Sequence, residues 1–252
     1  MLYTVTQNQP LTQTVYRLTL AGDTRAVTRP GQFVQVAVPG YYLRRPISVY
    51  DWSPAQSGTL TLVYKTLGHG TEAMSRLQPG QTLDVLPGLG NGYDTQGNPA
   101  AAQAKTPLLL GGGVGVPPLY GLARQLLSQG KTPTAVLGFN TQSDVILQAD
   151  FEALGIPTLV ATVDGTAGIK GFVTDAAQLA GAFDYVYTCG PEPMLKAVYR
   201  LCEARGISGQ FSFEERMACG FGACMGCSCQ TKYGSKRICK DGPVLTREEI
   251  VW

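Results

Sequence analysis

Apolar and polar residues alternate with a period of two over much of the first 95 residues. The segments T14-V-Y-R-L-T-L20, G31-Q-F-V-Q-V-A-V38 and G58-T-L-T-L-V-Y-K65 each read as a half-buried strand rich in Val, Thr, Leu and Tyr. Glycine and proline punctuate them at A21-G-D23, R29-P-G31, V38-P-G40 and Q78-P-G80. Many short strands with such turns predict a small antiparallel β-barrel over residues 1–96. Residues 89–106 are poor in large apolar side chains and read as a linker or flexible loop.

The period then changes. Strands are predicted at 107–110, 134–139, 158–162 and 185–188, and helices at 116–129, 143–154, 172–180 and 191–205. The last helix has Pro near its start and Gly206 just past its end, and Met194, Val198, Leu201 and Cys202 share one face. Strands alternating with helices predict an α/β domain over 97–210, a parallel sheet covered on both faces. Beyond Phe213 the apolar periodicity stops. Residues 211–252 form a third, small C-terminal domain that cannot bury much core alone, and such segments fold around a metal or disulfides.

Composition narrows the choice. A chain of 252 residues accommodates about two domains of ~100–200 residues, and 44% hydrophobic residues suffice for real cores. The net charge of +2 gives no reason to expect nucleic acid or an anionic membrane as partner. The most apolar run, 107–119, falls short of the ~20 residues of a membrane span. The first residues lack a basic segment followed by an apolar one, so no signal peptide is expected, and the expected compartment is the reducing cytoplasm, where structural disulfides are rare. Of seven cysteines, five lie between 219 and 239. Such crowding in an intracellular chain reads as metal binding.

Three segments carry candidate chemistry. L108-L-L-G-G-G-V-G-V116 follows a buried strand and opens a helix, so Gly111, Gly112, Gly113 and Gly115 let a pyrophosphate approach backbone N–H groups at a helix N-terminus. A plain glycine-rich turn is the alternative. The match to G-x-G-x-x-G is imperfect: Pro118 stands where the third glycine would be, and no acidic residue ends the next strand. The absence of Arg or Lys just after Phe139 leans toward NADH over NADPH. T188-C-G-P-E-P-M194 is a second strand-to-helix junction. There Cys189, followed by Gly190 and Pro191, either lines a nicotinamide site or is a small buried residue. In the barrel, Y42-L-R-R-P-I-S-V-Y50 offers Arg45 and Ser48 to phosphate oxygens, or is simply a solvated strand end. The loop T66-L-G-H-G-T-E72 can cradle a second phosphate region with its N–H groups. His69, the only histidine, is given no catalytic role.

The cysteines follow C-x4-C-x2-C at Cys219, Cys224 and Cys227, with Cys239 after eleven intervening residues. This is the plant-type [2Fe–2S] spacing. Zinc is the alternative, but zinc ribbons use two C-x2-C knuckles and one is present here. Cys239 is preferred as fourth ligand, because Cys229 lies only two residues from Cys227.

Together, R45-P-I-S48 in a barrel, G111-G-G-V-G115 and T188-C-G190 in an α/β domain, and the cysteine segment resemble the ferredoxin–NADP reductase superfamily. E214-E-R-M-A-C-G-F-G-A-C-M-G-C227, closed by I238-C-K-D-G-P-V244, resembles the electron-transfer subunits of dihydroorotate dehydrogenase B. The resemblance spans almost the whole chain. It implies an oxidoreductase subunit with FAD in the barrel, NADH (as the NAD couple) on the second domain and the [2Fe–2S] cluster in the third. Arg45, Pro46, Ile47 and Ser48 are then expected at the flavin and its diphosphate, Leu62, Val63 and Tyr64 along the flavin site, and His69, Gly70 and Thr71 at the phosphates. The 111–115 turn and Cys189 to Pro191 are expected to bind NAD. The implied partner is an FMN-containing catalytic subunit that oxidises dihydroorotate in pyrimidine biosynthesis, in a heterotetramer of two plus two. Ferredoxin- and hydrogenase-linked NAD(P)H oxidoreductase subunits share this domain order. A zinc-stabilised nucleotide-binding regulatory module is the reading outside redox chemistry. No acid–base triad is expected, since hydride transfer to a flavin chiefly requires stacking and orientation.

Overall fold

The computed structural model describes residues 1–252. Strands β1 (Leu2–Pro10), β2 (Val15–Gly22), β3 (Phe33–Val36), β4 (Arg45–Trp52) and β5 (Gly58–Lys65), then helix α1 (His69–Ser75) and strand β6 (Thr82–Leu89), make the first unit. The six strands close a barrel in the order β1-β2-β5-β4-β3-β6, all antiparallel. Alternation works as the sequence pattern requires. Leu18, Leu20, Val34, Val36, Leu60 and Leu62 fill the barrel, while Phe33, one step out of phase, packs outside it.

The second unit contains α2 (Pro99–Gln103), β7 (Pro107–Gly112), α3 (Pro117–Ser128), β8 (Thr134–Phe139), α4 (Gln148–Ala153) and β9 (Thr158–Thr162). It continues with β10 (Ile169–Lys170), α5 (Val173–Ala177), β11 (Tyr185–Cys189), α6 (Glu192–Arg205) and β12 (Gly209–Ser212). A hairpin of β13 (Ser228–Thr231) and β14 (Gly234–Arg237) precedes β15 (Val244–Thr246). The large sheet runs β10-β9-β8-β7-β11-β12-β15, parallel except that β15 is antiparallel to β12. The predicted barrel and parallel sheet are both present, and α6 ends at Gly206 with φ 65°.

Three local expectations change. The predicted helix over 143–154 is broken, because Leu147 adopts a left-handed conformation (φ 63°) and separates a turn at Gln142–Asp144 from α4. The 172–180 helix shrinks to Val173–Ala177. Residues 89–106 are a packed connection, contrary to a flexible loop. Tyr93 is buried and its hydroxyl donates to the Thr188 carbonyl at 3.0 Å. The Asp94 N–H donates to Gln210 Oε1 at 2.8 Å. Asn91 Nδ2 donates to the Val244 carbonyl at 2.7 Å. The Thr95 hydroxyl accepts from Gln125 and Gln129 at 3.0 and 2.8 Å. The segment is polar because it satisfies buried backbone and side-chain groups of its neighbours.

The C-terminal segment does not stand alone either. By adding β15 to the sheet edge it shares a core with the α/β unit, in which Cys227, Ile238, Cys239 and Leu245 pack with Phe211 and with Phe33 of the barrel. The barrel is fixed against α3 and α4 by Asp150. Its Oδ1 accepts from Arg17 at 2.7 Å and from the Tyr50 hydroxyl at 2.8 Å, and the Tyr50 ring stacks on Tyr120 at 4.5 Å.

Candidate functional site

The sheet order places β7 between β8 and β11, so the chain leaves β7 and β11 toward opposite sides and opens a crevice at their carboxyl ends. Both glycine-bearing junctions fall there, with Cys189 opposite Gly111 in the ladder. The turn Gly113–Gly115 carries β7 into the twelve-residue α3. A Cβ at Gly115 would collide with the Cys189 carbonyl, so the two junctions touch through bare backbone. Gly113 has φ 53° and faces open space, where a phosphate can meet the start of α3. Burial pushes the Cys189 thiol up to about 12, against a hydrogen bond from Ser212. It stays a neutral thiol near pH 7, suited to lining a site and not to nucleophilic attack.

In the barrel, β4 begins with Arg45, half-buried, its guanidinium 5.3 Å from the Tyr41 ring and donating to the Leu43 carbonyl. The guanidinium lies directly over Gly70, where a Cβ would collide with it. The segments 45–48 and 69–71 therefore meet in space. The Thr71 hydroxyl accepts from Leu67 N–H at 2.9 Å and donates to the Gly68 carbonyl at 3.0 Å, so the expected 66–72 loop is a short turn that becomes helical at exposed His69, the first residue of α1. Pro46 is exposed and Ile47 and Ser48 half-buried along β4. Leu62 and Tyr64 point into the barrel, and Val63 packs outward against the α/β unit. A guanidinium over a glycine at the start of a helix fits a phosphate of a dinucleotide flavin.

The cysteines form two pairs. Cys219 Sγ accepts from the N–H groups of Ala223 at 3.3 Å and Cys224 at 3.5 Å, and meets the Cys224 thiol. Cys227 Sγ accepts from the Cys239 N–H at 3.4 Å, and these two thiols also meet. Cys227 and Cys239 are buried; Cys219 is half-buried and Cys224 exposed. No three cysteines converge on one point as ligands of a single ion do. Two pairs of thiols are the donor set of a two-iron cluster, two sulfurs for each iron. Burial opposes it, but N–H groups of Cys224, Phe221 and Ala223 hold the Cys219 thiol down to about 6. Burial and the adjacent Cys227 thiol push Cys239 up to about 12. Arg237 Nη1 donates to the Gly222 carbonyl at 2.9 Å while its Nε pairs with Asp241 at 3.0 Å, tying the loop to the hairpin. Cys229 faces elsewhere, into a cavity of about 290 Å³ with Glu214, Glu215 and Trp252.

Two residues at this site carried no signal of function in the sequence reading. Arg237 is one. The other is Gln35, a polar residue in F33-V-Q-V36, a strand with every position buried.

Barrel, parallel sheet and terminal cysteine loop together define a reductase of the ferredoxin–NADP reductase type. A structure described as an NADH-dependent reduced ferredoxin-NADP oxidoreductase, solved for insight into flavin-based electron bifurcation, superposes with TM-score 0.88 at 29% identity, covering 100% of this chain and 90% of that one. The flavohem-like FAD/NAD binding domain of nitric oxide dioxygenase from Vibrio cholerae superposes with TM-score 0.67 at 19% identity, over 82% of this chain and 93% of that one, a likeness of fold alone. Two family models match: an oxidoreductase NAD-binding domain over residues 109–200, and the iron-sulfur cluster binding domain of dihydroorotate dehydrogenase B over 214–251. The dihydroorotate dehydrogenase B (NAD(+)) electron transfer subunit of Geobacillus sp. (strain WCH70) is 42% identical over 98% of this chain and 97% of its own length. That of Bacillus pumilus (strain SAFR-032) is 41% identical over 98% and 96%. The chain belongs to the family of dihydroorotate dehydrogenase B electron-transfer subunits.

Proposed function

We propose that this chain is the electron-transfer subunit of an NAD-dependent dihydroorotate dehydrogenase, an oxidoreductase component of pyrimidine biosynthesis that binds FAD, a [2Fe–2S] cluster and NAD. The observation that carries this reading is the two-pair arrangement of Cys219, Cys224, Cys227 and Cys239 beside a flavin-type barrel and a nucleotide crevice. Residues 1–96 hold FAD, 97–210 bind NAD and 211–252 hold the cluster, with β15 of the last unit completing the sheet of the second. When bound, the flavin supplies the coupling between a two-electron hydride and a one-electron cluster.

The residues divide the work accordingly. Arg45 and Ser48 bind and orient the FAD diphosphate and ring, assisted by Pro46, Ile47 and the start of α1 at 69–71, with Leu62, Val63 and Tyr64 along the flavin site through their backbone, since their side chains are buried. Gly111 to Gly115 receive the NAD pyrophosphate, and Cys189, Gly190 and Pro191 line the nicotinamide end. Cys219, Cys224, Cys227 and Cys239 ligate the cluster. The partner is a catalytic subunit that carries FMN and oxidises dihydroorotate, assembled as two plus two in the cytoplasm. Exposed Phe221 and Met225, on either side of exposed Cys224, form an apolar part of the docking surface for it. No helix is long and apolar enough to cross a membrane. Identity of about 42% over nearly the full length favours this partner over a ferredoxin-linked one, for which the matched structure is 29% identical.

The test is a visible absorption spectrum of anaerobically purified protein before and after NADH. Flavin bands and a broad red-brown iron–sulfur envelope, both bleached by NADH, are expected. A colourless protein containing zinc overturns the reading in favour of the regulatory module.

A further inference from the structure

Gln35 is fully buried, and neither Nε2 nor Oε1 of its carboxamide has a hydrogen-bond partner. Folded proteins seldom leave both ends of a buried amide unsatisfied, because each loses its water and gains nothing in return. The side chain projects outside the barrel. Val34 and Val36 fill the barrel interior, so alternation sends Phe33 and Gln35 to the outer face, and Phe33 packs in the core that contains Cys227 and Cys239. On one side the carboxamide lies against Gly220, adjacent in sequence to Cys219. A Cβ there would collide with Nε2, and Gly220 holds φ 78°. On the other side, Gln35 faces Pro46 across the β3–β4 ladder, within the Arg45–Ser48 segment. An unsatisfied amide therefore stands where the strand assigned to the flavin meets the loop assigned to the cluster.

We propose that Gln35 is a positioning residue between the two cofactor sites, whose Nε2–H donates to the sulfur ligands of the iron–sulfur cluster. The inference rests on the functional reading above. A reduced cluster carries one more negative charge than an oxidised one, so an N–H donor at its sulfurs favours the reduced form and raises the reduction potential. Satisfaction of the amide arrives with the cluster, which makes loading of the cluster and ordering of the β3–Gly220 contact one event. In the chain without cofactors the same amide is a local burden on stability.

The experiment is an EPR-monitored redox titration of the holoprotein and of Gln35→Met, Gln35→Leu and Gln35→His, with thermal unfolding of each in loaded and cofactor-free form. Gln35→Met keeps length and volume and loses both polar atoms; Gln35→His changes shape but keeps an N–H at similar reach. The cluster potential is expected to shift negative in Gln35→Met and Gln35→Leu and to return toward wild type in Gln35→His. Cofactor-free Gln35→Met is expected to unfold at a higher temperature than cofactor-free wild type, and to gain less on loading. A merely structural role puts Gln35→Met nearest to wild type in potential, and that result overturns the proposal. If Gln35→Met does not load, Gln35→Leu against Gln35→His decides in the same way: equal potentials overturn it. Wild-type protein lacking a [2Fe–2S] EPR signal would overturn the functional reading itself, whereas a wild-type cluster with an unmoved potential in the variants overturns only the role of Gln35.

Discussion

The turn at 111–115 and the loop at 219–227 are both rich in glycine, yet they are held in place by different forces. The first ends a strand buried on both faces and starts a twelve-residue helix, and its backbone rests on the Cys189 carbonyl. Ladder hydrogen bonds and apolar packing define it before any ligand arrives. The second has no ladder across Cys219 to Cys227. Gly220, Gly222 and Met225 all take positive φ, at 78°, 92° and 61°, and Phe221, Cys224 and Met225 are exposed. Its fixed points are the buried Cys227–Cys239 pair and the Arg237 bond to the Gly222 carbonyl. A nucleotide that comes and goes needs a preformed seat. A cluster that stays supplies part of the structure of its own loop.

The contrast is broken most severely at Cys227. Cys227→Ser removes a buried ligand and the sulfur that accepts from Cys239 N–H, so iron content is expected to fall from about two per chain to near background. The 214–240 segment becomes sensitive to limited proteolysis, since its ordering depends on the cluster. Cys229→Ser, which alters only the cavity beside Glu215, is expected to keep its iron. Iron analysis of the two variants side by side reverses the ligand assignment if Cys229→Ser is the one that loses it.

A milder lesion belongs to the preformed seat. Gly115→Ala forces a methyl group into the Cys189 carbonyl, an overpacking that costs about 1–3 kcal/mol. Part of that cost is relieved by moving the turn away from the nucleotide. KM for NADH is expected to rise about tenfold, which corresponds to roughly 1.4 kcal/mol of lost binding, with flavin and cluster absorption unchanged. Steady-state kinetics with an artificial electron acceptor measures this. A normal KM with a lost cluster would mean that the two regions are not independent.

The sequence made the two regions legible to different depths. Period-two and helical patterns announced the barrel and the sheet, because β2, β5, β7 and β8 bury their apolar residues regularly. Spacing announced the cysteines, because covalent ligation tolerates little variation along the chain. What stayed hidden was set by contacts between distant segments. Asn91, Tyr93, Asp94 and Thr95 look like linker residues until Val244, Thr188, Gln210 and α3 are placed beside them. The break at Leu147 has no glycine or proline to mark it. β15 is three residues long and pairs with β12 some 34 positions earlier, a register no local pattern encodes. Gln35 reads as an ordinary strand residue until Gly220 packs on it.

The smallest expected effect lies in how the cluster hairpin is anchored. Burial disfavours the charged form of Glu249, but Lys236 and the Thr246 N–H hold its carboxyl below the usual glutamate range. The Lys232 N–H also donates to the Glu249 carbonyl at 2.8 Å, so this residue clamps β13 and β14 to the segment after β15. A carboxyl whose folded pKa is lowered contributes stability above its unfolded value, and that contribution is lost as pH falls through the folded value. The ion pair is partly exposed, so its contribution is about 1 kcal/mol or less. Amide exchange in 228–237 is therefore expected to quicken as pH falls from about 5 to about 3, once the intrinsic pH dependence is divided out. Amides of the 111–115 turn, held by backbone and apolar contacts, should hold steady over the same range. Glu249→Gln should exchange faster at pH 6 and lose the extra pH dependence. If the hairpin amides of that variant match wild type at every pH, the hairpin is anchored by its apolar contacts alone, and both regions then rest on packing that no carboxylate controls.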